Sequence, residues 1–329
     1  MRTARMRLLA HPDKACDLVA ESIVDEYLKR DPESRVRVSV AGGRGALFIS
    51  GDVKSQADFD VAALVRRVLG SIGVMSEIEP FVSLEPVVPD QASSFSMGAE
   101  SVVTVVGYAT NETAEQSPLP LQCARNIAKA IEEKRQTDET WFWLGGDGEI
   151  AVTADARQVI RVDAFLEHGT QTMADVRREV EACIRPFTPV AQIVVNAAGH
   201  NEVRGIGNMM GASGRESSPY GDLLPHPSRF VGRDIRSPEK AGTWLARAAA
   251  RQLVLRGARA AMVTLVYIPG EDQPVMIAAR DERGKDICQA IDVETVSLSR
   301  VVREWWRPGL NVDAIRWGFV GDKDLPWEA

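Results

Sequence analysis

One pattern constrains this chain of 329 residues more than any other. A helical period, two strand patterns around a polar turn and a second helical period recur three times. Residues 12–30 carry Cys16, Val19, Ala20, Ile23, Val24, Tyr27 and Leu28 at spacings of three and four, which lines one helix face. In RVRVSVAGGRGALFIS, residues 35–50, Val36, Val38 and Val40 alternate with polar residues before a GGRG turn and a returning ALFIS, the pattern of a β-hairpin. Helical period resumes over 57–71. The order recurs with a helix over 121–135, strands within 149–168 and a helix over 173–187. It recurs again with a helix over 239–257, strands at 260–270 and 273–281, and a helix over 297–306. Each hairpin's apolar face needs cover, which the flanking helices supply. The predicted fold class is therefore α/β (α+β): three related subdomains, each a hairpin-containing sheet covered by helices. The predicted boundaries are 1–93, 94–204 and 205–329, with the Pro-rich FVSLEPVVPDQASS, residues 81–94, as linker.

Residues 199–236 break the pattern. They are dense in Gly, Ser, Pro and Arg and have no clean period, and loops of this length are usually functional or disordered. The GIGNMMG within them lacks the GxGxxG spacing and the βαβ context of a dinucleotide site. The net charge of −7 argues against general affinity for nucleic acid. No apolar run approaches the ~18 residues that span a membrane, and the apolar part of MRTARMRLLA is too short for a secretory signal. Cys16, Cys123, Cys183 and Cys288 are scattered without a CxxC, as suits a reducing cytoplasm.

The chemistry-bearing stretch is LLAHPDKACDLV, residues 8–19. Pro12 suits the first position of a helix, where its missing N–H costs nothing. On one reading Asp13 and Asp17 are partners of the helix dipole and His11 is a surface residue. On the other this is a polyphosphate site. Free N–H groups at the helix start face an anion, Asp13 holds Mg²⁺, and His11 and Lys14 donate to phosphates. The residues of this stretch alone leave both readings open.

The wider sequence resembles the S-adenosylmethionine synthetases (methionine adenosyltransferases). AHPDKACDLVAESIVDEYLKRDPESRV is similar to the family's GHPDK, helix and D-P-x-S/A-R-V. GDVKSQADFD resembles G-E-I-T-S-x-A-x-x-D, and GYATNET, residues 107–113, is identical to the family's stretch. SPLPLQCAR, LGGDGEIAVT, SGR (213–215), VGRD (231–234) and WGFVGDKDLPWE resemble further family motifs in order, down almost the whole chain. The resemblance implies the family's three-unit fold and its reaction. The methionine sulfur attacks C5′ of ATP and expels the triphosphate, which is hydrolysed to phosphate and pyrophosphate. It implies Mg²⁺ as cofactor, ATP and methionine or a close thioether analogue as substrates, and a homodimer or a tetramer with the active site between subunits.

Residue by residue, the resemblance places His11 on the triphosphate, Asp13 as a magnesium ligand and Lys14 as the basic residue that follows. It places Asp147 in the nucleotide site, and Arg215 and Arg233 among the catalytic cations, Arg233 standing where the family has lysine. Glu239 falls where the family has a second magnesium-binding aspartate, one methylene shorter. On the methionine side Asp52 keeps an acid, while Ser101 stands for an aspartate, Ser237 falls near a lysine and Met209 near another aspartate. Ser39 replaces the glutamate that binds a monovalent cation, which puts K⁺ dependence in question. Glu149 and Glu216 each replace a lysine beside the phosphates. His200, Arg204, Arg229, Arg236 and Lys240 are candidates to restore the lost charge, and His168 sits near a family histidine with a structural role equally open. The charge reversals also suit a non-catalytic nucleotide- or partner-binding paralogue. An ATP or tripolyphosphate hydrolase is the third alternative.

Overall fold

The computed structural model describes residues 1–86, 98–155, 157–202, 204–215, 220–224 and 230–329, with residues 98–101 described by backbone alone. The first unit opens with α1 (Pro12–Arg30). Pro12 takes the first helical position. Asp13 lies in the first turn and Lys29 and Arg30 in the last, each opposite in sign to its helix end. All seven residues predicted for its apolar face are buried. In the following hairpin β2 (Arg35–Gly43) pairs antiparallel with β3 (Ala46–Lys54), Gly43 opposite Ala46. The turn residues Arg44 and Gly45 both have positive φ, 54° and 91°, as a type I′ hairpin turn requires. Arg44 tolerates this because its amide donates to Ile206 O at 3.0 Å and its Nε to Asn208 O at 2.8 Å.

Helix α2 (Val61–Ser71) starts later than its sequence period, because the Asp60 carboxylate caps it through the Ala63 amide. The predicted linker also begins as structure. Its first residues belong to β4 (Glu79–Pro86), which runs parallel to β3, and residues 87–97 lie outside the described residues. Pro80 and Pro86 lack amide donors, which an edge strand tolerates, and Phe81 stacks on Phe48 of β3 at 5.2 Å.

The second unit is α3 (Leu119–Thr137), β6 (Leu144–Ala154), β7 (Val159–His168) and α4 (Met173–Ile184), with β8 (Gln192–Val195) parallel to β7. The third is α5 (Pro238–Leu255), β10 (Ala260–Pro269) and β11 (Met276–Asp281). The helix predicted over 297–306 is a single turn, α6 (Leu298–Arg300), that widens into a π turn at Val301–Trp305. Helix α7 (Leu310–Arg316) then packs on α1.

A strand precedes each unit: β1 (Arg2–Arg7), β5 (Gly98–Thr110) and β9 (Gly211–Ala212). None pairs within its own unit. β1 joins β6 of the second, β5 joins β10 of the third, and β9 joins β2 of the first. The exchange closes on itself, giving sheets β1-β6-β7-β8, β4-β3-β2-β9 and β11-β10-β5. α1, α3 and α5 each cover one sheet, and the buried side chains form one continuous core. No unit completes its sheet alone, so the three are bound to fold together. Two outer sheet faces carry exposed apolar side chains. Phe48 and Phe81 are 56% and 51% exposed on one, and Val102, Met262 and Met276 are exposed on another.

Candidate active site

The site forms where the long loop meets α1. Asp13, Asp17 and Glu21 fall four residues apart and so share one helix face. Each carboxylate accepts a backbone amide from the loop: Ala212 on Asp13 at 3.0 Å, Gly214 on Asp17 at 2.7 Å and Gly232 on Glu21 at 3.1 Å. The next acid in the stripe, Asp25, takes the Val312 amide at 2.9 Å and the Asn311 side chain at 2.7 Å. The loop is thus held by its backbone and needs no side-chain period. Gly211 permits the approach, since a Cβ there would lie 2.2 Å from the Pro12 carbonyl oxygen. Glu21 also accepts from Lys240 at 2.5 Å. Burial pushes the Glu21 carboxyl up to about 7 against the pull of that ammonium.

At the start of α1, His11 caps the helix, its Nδ1 accepting the Asp13 amide at 3.3 Å. Burial, then the charges of Arg7, Arg204, Arg5 and Lys14, push its pKa down to about 3, so the imidazole is neutral. The Asp13 carboxylate faces Arg7 at 3.1 Å and Arg215 at 3.7 Å. The β1–β6 register sets Arg7 opposite Glu149, whose carboxylate accepts from Arg7 at 3.0 Å and from Arg5 at 3.2 Å. Two residues earlier on β6 is Asp147, fully buried. Its Oδ2 takes Arg204 Nε at 3.1 Å and the Gly205 amide at 3.0 Å, while Oδ1 has no hydrogen-bond partner among the described residues. The Asp147 amide donates to Glu167, whose carboxyl burial raises. The Ala10 amide, donating to Gly146 O at 3.1 Å, ties the His11 end of this cluster to the Asp147 end.

A capped helix start, a facing carboxylate and four convergent cations make a site for a polyanion with a hard cation. Sequence models of the N-terminal and central domains of S-adenosylmethionine synthetase match residues 3–88 and 96–201. The chain belongs to the S-adenosylmethionine synthetase family. The S-adenosylmethionine synthase of Petrotoga mobilis is 29% identical, over 97% of this chain and 93% of its own length. That of Aquifex aeolicus is 27% identical, over 100% and 96%. The structure of an unusual S-adenosylmethionine synthetase from Campylobacter jejuni shares the fold with a TM-score of 0.84, at 22% identity, over 99% of this chain and 96% of that one.

The synthetase motifs map onto two places. His11, Asp13, Asp147 and Arg215 lie in the cluster at the start of α1. Arg233 and Asp52 do not. Arg233 bridges Arg37 of β2, whose guanidinium pairs with Asp52 at 3.5 Å. Arg37 lies four residues along β2 from Ala41, where β9 docks, or about 14 Å at ~3.4 Å per residue. Glu239 sits in the first turn of α5 and accepts from the Ser237 hydroxyl. Ser101 lies on β5, its side chain outside the described residues, as are Glu216 and Arg229. Lys14 is buried with its ammonium on the Ile315 carbonyl at 2.6 Å. Ser39 is exposed opposite Ser50, with no carboxylate at that position.

Among the candidate replacement cations, Arg204 reaches the cluster. Lys240 is committed to Glu21 and Asn311, Arg236 to Pro32 and Glu33, and exposed His200 lies beside Glu202. His168 is structural: its Nε2 accepts the Asn201 amide and its Nδ1 faces Gly169 O. Met209 packs its backbone against Gly43. GYATNET is scaffold: Tyr108 O accepts from Arg247 at 2.7 Å and the Glu112 carboxylate caps α3 at the Leu119 amide. Arg5 and Arg7 escaped the sequence reading. Their signal was spacing, since residues two apart on a strand share a face. Among the described residues no group of three or more His, Cys, Asp or Glu side chains makes a protein-only metal cage. Magnesium usually takes one or two carboxylates and completes its shell with phosphate and water oxygens, and Asp13 fits that demand.

Proposed function

We propose that this protein is a methionine adenosyltransferase that joins ATP and methionine, or a close thioether analogue, into S-adenosylmethionine and releases phosphate and pyrophosphate from a bound tripolyphosphate. The observation that carries the reading is the convergence of neutral His11, Asp13, Arg7, Arg215 and Arg204 at the start of α1. Such a site does no covalent chemistry. It positions the sulfur in line with C5′ and neutralises the departing triphosphate. His11 and Arg215 contact the triphosphate in this reading, and Asp13 is the carboxylate that holds magnesium, which when bound offsets phosphate charge.

Ser101 and Glu239 are assigned to the methionine and magnesium sites by family resemblance, and Arg233 and Asp52 form the second cluster. Their separation from His11 along β2 supports an active site in which the second cluster of one subunit completes the first of another. The exposed apolar side chains around Phe48 and Met262 support a homodimer or a tetramer. Ser39 supports turnover without K⁺. No helix among the described residues is long and apolar enough to cross a membrane, and the protein is proposed to work in the cytoplasm.

The test is incubation with ATP, Mg²⁺ and L-methionine, with and without K⁺, reading S-adenosylmethionine by mass spectrometry and counting phosphate and pyrophosphate. Product in both salts supports the reading. Phosphate without product indicates a hydrolase or another thioether acceptor. Neither indicates a binding paralogue.

A further inference from the structure

We infer that Arg5 and Arg7 of β1 are polyphosphate-binding residues, held ready by Glu149 and passed to the substrate when Asp13 engages a cation. The inference rests on the reading of this site as a triphosphate site. Its carrying observation is the geometry of Arg7, which reaches both Asp13 and Glu149. The Arg7 guanidinium is 12% exposed and divides its bonds between Asp13 at 3.1 Å and Glu149 at 3.0 Å. Asp13 is 13% exposed and is the carboxylate suited to a hard cation. Once Asp13 turns to that cation, Arg7 keeps a poorly solvated positive charge with its Asp13 pairing weakened. A phosphate oxygen is the anion the site would then bring within reach, and a guanidinium fork suits it. Arg5 lies two residues earlier on the same face, bonded to the same Glu149 oxygen at 3.2 Å and paired with Asp222. Glu149, cross-strand from Arg7, is then no obstacle to the anion. It fixes the direction of two arginines whose summed charge exceeds its own.

A merely structural cross-strand pair predicts something different, so the two are separable. Binding of inorganic tripolyphosphate in the presence of Mg²⁺ is measured by calorimetry at two salt concentrations for the wild type, Arg7→Gln, Arg7→Lys and Glu149→Gln, with thermal melting as a check on folding. Arg7→Gln is expected to weaken binding about tenfold or more and to reduce its salt dependence, since a charge-assisted bond to phosphate is lost. Arg7→Lys recovers part of the affinity. Glu149→Gln binds as tightly as the wild type or more tightly, because a carboxylate near the anion is gone. A folded Arg7→Gln that binds like the wild type overturns the inference, as does Glu149→Gln weakening as much as Arg7→Gln. If Arg7→Gln does not fold, Arg5→Gln, the more exposed member, carries the same expectation and the same refutation. A wild type that does not bind tripolyphosphate sinks the reading of the site itself. A wild type that binds, with variants unaffected, sinks only the role of the arginines.

Discussion

Lys240 was a candidate to restore charge at the phosphates, and its surroundings predict that its removal acts on stability instead. The ammonium is fully buried, 2.5 Å from Glu21 and 2.7 Å from Asn311 Oδ1. Lys240→Met strands the Glu21 carboxylate, itself 1% exposed. Breaking a buried ion pair by removing one partner costs about 3–5 kcal/mol. At ~2.1 cal/mol/K per residue, unfolding 329 residues carries ~0.7 kcal/mol/K, so Tm should fall by about 4–7 °C.

The loss should also depend on pH. In the wild type the Glu21 carboxyl sits at about 7, above its ordinary value of 4.5, so the folded state binds more protons than the unfolded between those values. Its contribution to stability is therefore present at low pH and declines as pH rises through that window. Without Lys240 the folded carboxyl rises further, which carries the decline to higher pH. Where the wild type has levelled off, the variant should keep losing about 1.4 kcal/mol per pH unit. Melting followed by near-UV circular dichroism at pH 6, 7 and 8 should show the gap widening upward. Glu21→Gln added to Lys240→Met should recover most of the loss, because no charge is then left buried. A pH-independent loss would refute the reasoning. So would a folded Lys240→Met that has lost polyphosphate affinity, because the ammonium would then face the ligand.

Glu328→Gln should lower Tm by a similar amount, because the carboxylate holds buried Arg247 at 2.6 and 2.9 Å and the loss leaves that guanidinium short of charge; differential scanning calorimetry checks it. Gly107→Ala puts a Cβ 2.1 Å from the Ala246 backbone, where β5 meets α5, and should cost about 3 kcal/mol or more by denaturant titration. His11→Ala should cost only about 1 kcal/mol of stability through the lost cap, yet lower adenosyl transfer at least ~10²-fold if the imidazole meets the triphosphate; steady-state turnover beside a melting curve separates the two effects.

Elements whose information is local were legible in the sequence. The apolar period of α1 and the alternation of β2, β6, β7 and β10 announced themselves within a dozen residues each, and so did the three-unit order. The strand exchange was not legible, because β1, β5 and β9 pair with strands far along the chain and a strand's alternation carries no address for its partner. The same limit governs the site. Asp13, Asp17, Glu21 and Asp25 stand four apart in the sequence, which on a helix alone reads as a solvated or dipole-facing stripe. Asp25 is held by the start of α7, and the other three by amides from a loop without period; an amide is common to every residue except proline, so the loop's composition cannot reveal it. Gly211, where a Cβ would strike Pro12, and Gly232, where one would strike the Val38 carbonyl, leave a trace. Glu149 read as a charge reversal for the same reason. Its partner Arg7 lies 142 residues away in sequence yet directly opposite in the sheet. Once that register is known, positions 5, 7 and 149 carry a net positive charge between them. Departures from a family motif at a charged site are therefore to be weighed over the residues the fold brings together, because an anion responds to the summed field of the cluster and not to the sign at one aligned position.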